Sequence, residues 1–172
     1  TNRISFKFDG KTYFGFKGDT LASALLANGI HLVGRSFKYH RPRGIMTCGS
    51  EEPNAICQIN GKTALTEPNV RATEIELYEG LEADSQNCWP NVNFDIGGIN
   101  NFISPFIPAG FYYKTFMWPK SFWKNIYEPL IRLSAGLGKS PTHPDPDIYD
   151  HKHVHCDVLV IGGGISGIIA AK

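Results

Sequence analysis

The chain has 172 residues, of which 42% are hydrophobic and 19% charged, with a formal net charge of +1. That balance gives no electrostatic case for nucleic acid or an anionic membrane surface, and no apolar run reaches the ~20 residues that a membrane span needs. The four cysteines, Cys48, Cys57, Cys88 and Cys156, are widely scattered and follow no export signal, so free thiols and a cytoplasmic location are expected.

In chain order, residues 1–90 read as a small α+β domain. Ile4-Ser5-Phe6-Lys7-Phe8 alternates apolar and polar, Asp9-Gly10 is a hairpin turn signal, and Thr12–Phe16 continues as the partner strand. Asp19 or Thr20 can cap a helix through Leu21, Ala22, Ala24, Leu25, Leu26 and Ala27, which Asn28-Gly29 stops. Ala55–Ile59, the turn Asn60-Gly61 and Lys62–Leu65 suggest a second hairpin, with Glu74-Ile75-Glu76-Leu77-Tyr78 as a closing strand. Hairpin, helix, hairpin and final strand is the order of a β-grasp domain.

Residues 91–152 concentrate aromatic side chains (Phe94, Phe102, Phe106, Phe111, Tyr112, Tyr113, Phe116, Trp118, Phe122, Trp123 and Tyr127) among Pro105, Pro108, Pro119 and Pro129. Prolines at that density preclude long helices. Short helices are expected near Ser121–Tyr127 and near Leu130–Leu137, the second ended by Gly138. So much aromatic surface is too apolar for a solvated linker, and the segment is expected to lie across a neighbouring domain or subunit.

Residues 153–172 carry the sharpest motif. Cys156-Asp157-Val158-Leu159-Val160-Ile161 has the apolar, β-branched character of a buried strand, and it leads into Gly162, Gly164 and Gly167 at G-x-G-x-x-G spacing. The three glycines suit a tight turn, close approach of backbone to a pyrophosphate, and close helix packing; the helix N-terminus then offers N–H groups to phosphate. Gly162, Gly163, Gly164, Ser166 and Gly167 are therefore the candidate cofactor-binding residues. A complete βαβ unit takes about 30 residues, with an acidic residue about 20 positions on. Neither is present, so the chain is expected to be part of a longer protein holding an incomplete Rossmann-type domain.

A β-grasp domain also invites a 2Fe–2S reading, which needs thiolates at C-x4-C-x2-C and a fourth downstream. Sliding that pattern over the loop 43–57, with Gly44 and Gly61 as anchors, puts Thr47, Glu52 and Ala55 in the three ligand places. Cys48 and Cys57 are each misplaced. The expectation is a cluster-less ferredoxin-like scaffold, with Cys57 and Cys88 as small buried hydrophobes.

Several blocks together carry a family resemblance: Gly18–Gly29, Ser36–Ile45 with Gly49–Ala55, Pro108–Pro119, and Cys156–Gly164. Through them the chain resembles the N-terminal part of the α subunits of bacterial heterotetrameric sarcosine oxidases. Related FAD-dependent amine, opine and proline dehydrogenases share the layout, but some keep cysteines where Thr47, Glu52 and Ala55 stand. The resemblance implies oxidative demethylation of sarcosine to glycine with formation of hydrogen peroxide, and transfer of the one-carbon unit to tetrahydrofolate. It implies β, γ and δ subunits as partners, FAD and FMN in the assembled enzyme, and NAD at the glycine-rich turn, with no iron–sulfur cluster. No residue matched to the family is catalytic, so this segment alone is expected to be inactive.

The remaining features favour plain readings. His151, His153 and His155 alternate without a second ligand group, which suits a half-exposed strand start better than a metal site. Arg35, Lys38, His40, Arg41 and Arg43 suit a solvated or subunit-docking loop better than a nucleic-acid patch. Glu51-Glu52 suits surface or docking use better than an acid/base pair. A related dehydrogenase subunit and a non-catalytic interaction module remain the alternatives to the oxidase reading.

Overall fold

The computed structural model describes residues 2–61, 66–106, 110, 116–145 and 148–172. Strands β1 (Arg3–Phe8) and β2 (Lys11–Phe16) form an antiparallel hairpin in which Phe8 faces Lys11. The turn holds Asp9 at φ +48° and Gly10 at φ +75°, the left-handed pair that a two-residue hairpin demands. Helix α1 (Leu21–Ala27) follows. Its cap is Thr20, whose side chain accepts from the Ser23 N–H while Ser23 Oγ reciprocally accepts from the Thr20 N–H. Asp19 serves the hairpin instead, accepting from Phe16 N–H at 3.0 Å. Gly29, at φ +74°, ends the helix.

Two short strands, β3 (Gly34–Arg35) and β4 (Pro42–Arg43), pair with each other outside the main sheet. That sheet is completed by β5 (Ile56–Ile59), β6 (Glu67–Arg71) and β7 (Leu81–Ser85), in the order β2-β1-β7-β5-β6. The strand β7 runs parallel to β1 and antiparallel to β5. Phe6, Phe8, Cys57, Ile59, Leu81 and Ala83 bury one face of the sheet beneath Leu21, Ala22, Ala24 and Leu25 of α1. This is the expected mixed α+β grasp of a helix by a sheet.

The partner expected for β5 from sequence, Lys62–Leu65, lies outside the described residues; the edge partner of β5 is Glu67–Arg71. Pro68 makes that stretch unlike a strand, but β6 is the sheet edge, where a missing N–H is tolerated. The closing strand is Leu81–Ser85, whereas Glu74–Tyr78 contributes only an isolated bridge between Glu76 and Thr20. Leu-Glu-Ala-Asp-Ser is polar in composition, yet Leu81 and Ala83 alternate inward between β1 and β5, and a central position supplies ladder bonds on both sides.

The helix sits close against β2. A Cβ added at Gly15 would stand 2.5 Å from Leu77 Cδ2 and 3.1 Å from Ala24 Cβ. Gly15→Ala is therefore expected to lower stability by about 1–2 kcal/mol through overpacking, which thermal unfolding would measure; an unchanged midpoint would show that α1 has room to move.

Beyond residue 90 the elements are short, as the prolines require. Helix α2 (Ile99–Phe102) lies between two 3-10 turns, Ile96–Gly98 and Ser104–Phe106. A π-helical turn, Trp123–Tyr127, runs directly into α3 (Glu128–Ser134), with Pro129 in its first turn. The stop comes earlier than Gly138: the helix ends at Ala135, and Gly136 already takes φ +60°. The strand expected at Cys156–Ile161 is absent, and only the helix α4 (Ile165–Ala171) of that unit forms. A parallel strand takes its ladder bonds from neighbours, and among the described residues none lies alongside this segment. No helix among the described residues is long and apolar enough to cross a membrane.

Candidate functional site

The glycine-rich turn has the local geometry its spacing implies. Gly162 takes φ +115°, a conformation side chains resist, and Gly164 is the extended N-cap of α4, its carbonyl accepting from Ile168 N–H at 3.0 Å. A Cβ built on Gly167 would lie 2.0 Å from the Gly162 carbonyl oxygen, so the first helical turn folds back onto the turn that starts it. Around Gly163 and Gly164 there is open space, and Ser166 lies exposed in the first turn of α4. These five residues are thus brought together by sequence-local geometry alone. Their surroundings are bare: Ile161 is 89% exposed, and Val158, Leu159, Ile165, Ile168 and Ile169 are exposed as well. Exposed apolar side chains of this kind have the character of an interface.

The loop between β4 and β5 is built differently from the expectation. Glu52 is 1% exposed, not a surface residue; Glu51 beside it is exposed. One carboxylate oxygen of Glu52 accepts from the N–H groups of Met46 (2.8 Å) and Thr47 (2.6 Å) and from the Thr47 hydroxyl (3.2 Å). The other accepts from the N–H groups of Asn54 (2.8 Å) and Ala55 (3.2 Å). Burial by itself would raise the carboxyl pKa, but the four backbone donors outweigh it and hold the group near a pKa of about 2, against an ordinary 4.5. The loop is tied down further by Arg71 Nε donating to the Glu52 carbonyl (3.0 Å) and Thr73 Oγ1 donating to the Gly49 carbonyl (2.7 Å). Sequence reasoning missed this role. The signal available to it was an acidic residue inside a Gly- and Asn-containing loop whose backbone N–H groups have no strand to pair with.

The cysteines do not assemble a metal site. Cys57 is buried in β5, where burial first, and then the nearby Asp9 and Asp84 charges, push its thiol up to about 12. Cys88 is half-buried, its thiol also raised chiefly by burial, with Sγ 3.3 Å from Ser85 Oγ. Cys48 and Cys156 are exposed. Thiols of this kind, one locked as neutral and two apart on the surface, do not fit the four thiolates of a 2Fe–2S cluster. Among the described residues no group of three or more His, Cys, Asp or Glu could hold a metal ion, and His151, His153 and His155 are exposed.

Part of the basic run is tied down within the chain, although Arg41 stays exposed. Arg35 donates to the Val92 carbonyl from Nε (2.9 Å) and Nη2 (2.7 Å), and from Nη1 to the His40 carbonyl (3.1 Å). His40 Nδ1 lies 2.6 Å from Asp95 Oδ2, and Arg41 Nε donates to Asn101 Oδ1 at 3.0 Å. The run therefore fastens residues 92–101 to the domain. Residues 135–139 are fastened in turn at the sheet edge: Gln58 exchanges two hydrogen bonds with Lys139 backbone, and Asn69 Nδ2 donates to the Leu137 carbonyl. Between these anchors several of the described aromatic side chains are exposed, Phe102 and Phe106 each at 84%. Phe111, Tyr112 and Tyr113 lie outside the described residues.

Residues 1–88 match the family described as "2Fe-2S iron-sulfur cluster binding domain". The chain is 61% identical over 168 residues to the sarcosine oxidase subunit alpha of Rhizobium meliloti (strain 1021), covering 98% of this chain and 17% of that relative. It is 31% identical over 171 residues to the sarcosine oxidase subunit alpha of Corynebacterium sp. (strain U-96), covering 98% of this chain and 13% of that relative. A solved structure, L-proline dehydrogenase from P. horikoshii, is similar at 27% identity and a TM-score of 0.41, over 52% of this chain and 16% of that one. The chain thus spans less than a fifth of the length of these relatives. It belongs, through residues 1–88, to the 2Fe-2S iron-sulfur cluster binding domain family, and along nearly its whole length it is the counterpart of a small N-terminal part of sarcosine oxidase alpha subunits.

Proposed function

We propose that the chain is the N-terminal segment of a subunit in an enzyme that oxidises the N-methyl group of sarcosine, releasing glycine, forming hydrogen peroxide from oxygen, and passing the one-carbon unit to tetrahydrofolate. The observation that carries this reading is the 61% identity to a sarcosine oxidase alpha subunit over 98% of the chain. In it, residues 1–90 are a cluster-free β-grasp scaffold, residues 91–152 a wrapping segment, and residues 153–172 the start of a dinucleotide-binding domain. The exposed aromatic side chains would be covered by the rest of the same subunit or by β, γ and δ subunits. FAD and FMN of the assembled enzyme would supply amine oxidation and oxygen reduction. In this reading the segment contributes no catalytic residue to those steps.

The glycine-rich turn would hold part of an NAD site: Gly162, Gly163 and Gly164 admit a pyrophosphate against bare backbone, while Ser166 and Gly167 set the helix start behind it. Because a side chain at Gly167 would collide with the Gly162 carbonyl, Gly167→Ala in the full-length subunit is expected to weaken NAD binding at least tenfold. Calorimetry on that variant checks it, and unaltered affinity would remove the turn from the site. The whole reading is tested by oxygen uptake and peroxide release from the native complex with sarcosine, proline and an opine, each with and without tetrahydrofolate. Peroxide with sarcosine alone among the three supports it. Turnover of proline or an opine, or dye reduction without peroxide, would place the chain with the related dehydrogenases.

A further inference from the structure

We infer that the Glu52 side chain occupies the seat of the iron–sulfur cluster in this fold, as a built-in anion that organises the loop the cluster would otherwise organise. This deepens the cluster-free scaffold reading proposed above and rests on it. The first observation is one of register. The C-x4-C-x2-C pattern of ferredoxin-type clusters falls on Thr47, Glu52 and Ala55, and the structure ties those three positions to one another through a single side chain. Thr47 gives its N–H and hydroxyl, and Ala55 its N–H, to the carboxylate of Glu52.

The second observation is the accounting of backbone donors. A loop that wraps a cluster must turn N–H groups inward, because thiolates and sulfides accept hydrogen bonds and the ligated cluster is anionic. With no anion there, such N–H groups would be buried without acceptors, at a cost the fold could not meet elsewhere. Here the Met46, Thr47, Asn54 and Ala55 N–H groups converge on two carboxylate oxygens, and no buried side-chain nitrogen or oxygen among the described residues lacks a partner. A carboxylate suits this seat because it is acceptor-only when ionised and has about four lone-pair positions. A glutamine would present two N–H donors of its own to the same inward-facing donors. A second carboxylate is next door in sequence, but Glu51 is exposed and takes no part. The thiols present in the chain stand outside the seat, Cys57 being sealed into β5.

The test uses the full-length subunit, compared as wild type, Glu52→Gln and the control Glu51→Gln. After anaerobic reconstitution with ferrous iron and sulfide, the wild type is expected to retain less than one iron per ten chains. Two irons per chain with visible charge-transfer absorption, abolished by Cys48→Ser, would overturn the cluster-free reading itself. If iron stays absent, amide hydrogen exchange decides the role of Glu52. Glu52→Gln is expected to speed exchange at residues 46–55 at least tenfold more than in β1, β7 and α1, and Glu51→Gln to change nothing. Unaltered exchange in Glu52→Gln would overturn the anion role while leaving the scaffold reading intact. Should Glu52→Gln give no soluble subunit, the wild type is followed on acidification, where loss of protection is expected to begin at residues 46–55 as the carboxylate takes up its proton, ahead of β1, β7 and α1. Loss that begins elsewhere while the loop stays protected would overturn the proposal.

Discussion

Glu52→Gln is expected to lower the stability of the protein by about 2–3 kcal/mol at neutral pH, among the largest effects of any nearly isosteric substitution in the chain. Four backbone N–H groups and one hydroxyl meet the carboxylate, and each buried donor left without an acceptor costs about 1–3 kcal/mol. The remaining amide oxygen of glutamine can satisfy some of them, which keeps the loss below the full sum. The carboxyl's pKa gives a separate bound. Its displacement from 4.5 to about 2 is worth at most about 3 kcal/mol, and less where water screens the loop.

The pH dependence follows in sign from that displacement. The folded pKa lies below the unfolded one, so the contribution of Glu52 is complete above about pH 4.5 and is lost as pH falls toward 2. The difference in melting temperature between wild type and Glu52→Gln should therefore be flat from pH 8 to about pH 5 and shrink below it. A difference that grows on acidification would contradict an ionised Glu52 in the fold.

Asp95→Ala is expected to cost a similar amount, about 3 kcal/mol, by breaking the clamp that holds residues 87–102 on the domain. The Asp95 side chain is 0% exposed and has three partners: Trp89 N–H (3.0 Å) and Gly97 N–H (3.1 Å) on Oδ1, and His40 Nδ1 (2.6 Å) on Oδ2. Alanine strands both backbone donors and removes the group that faces the imidazole, the kind of buried network loss that gives large effects. Gly97 lies close against the same imidazole, where an added Cβ would stand 2.3 Å from the His40 ring. Asp95→Asn keeps one acceptor oxygen for the two N–H groups and should lose about 1 kcal/mol. Limited proteolysis distinguishes a local from a global effect: Asp95→Ala should be cut within residues 87–102 before the β-grasp core. Cleavage in the core first would show that this segment is not separately fastened.

How much was legible in the residues depended on the range of the interactions that decide each feature. The β1–β2 hairpin could be read from Asp9-Gly10 because the turn conformation belongs to those two residues. The α1 limits followed from Thr20 and Gly29 because caps act within a few positions. The glycine turn could be read for the same reason, its positive φ at Gly162 and its close approach at Gly167 being local to six residues. Strands β6 and β7 could not. Pro68 and the polar Leu81–Ser85 stretch become strands only because the edge of the sheet forgives one and its centre supports the other. The converse holds at Cys156–Ile161, where a strand pattern without a neighbour stays unpaired.

By itself, then, the amino-acid order determined the hairpin, the capped helix, the glycine-rich turn, the α+β class and the family resemblance, all of them matters of local conformation or of ordered residue identity. Tertiary structure alone decided which strands fill the sheet, that Arg35 and His40 fasten residues 92–95 to the domain, and that Glu52 lies buried at the centre of its loop and not at the surface. The physical reason is common to these cases. The worth of a charge or a backbone N–H depends on which distant groups surround it once water has been excluded, and that is set by the packed fold and not by neighbours along the chain.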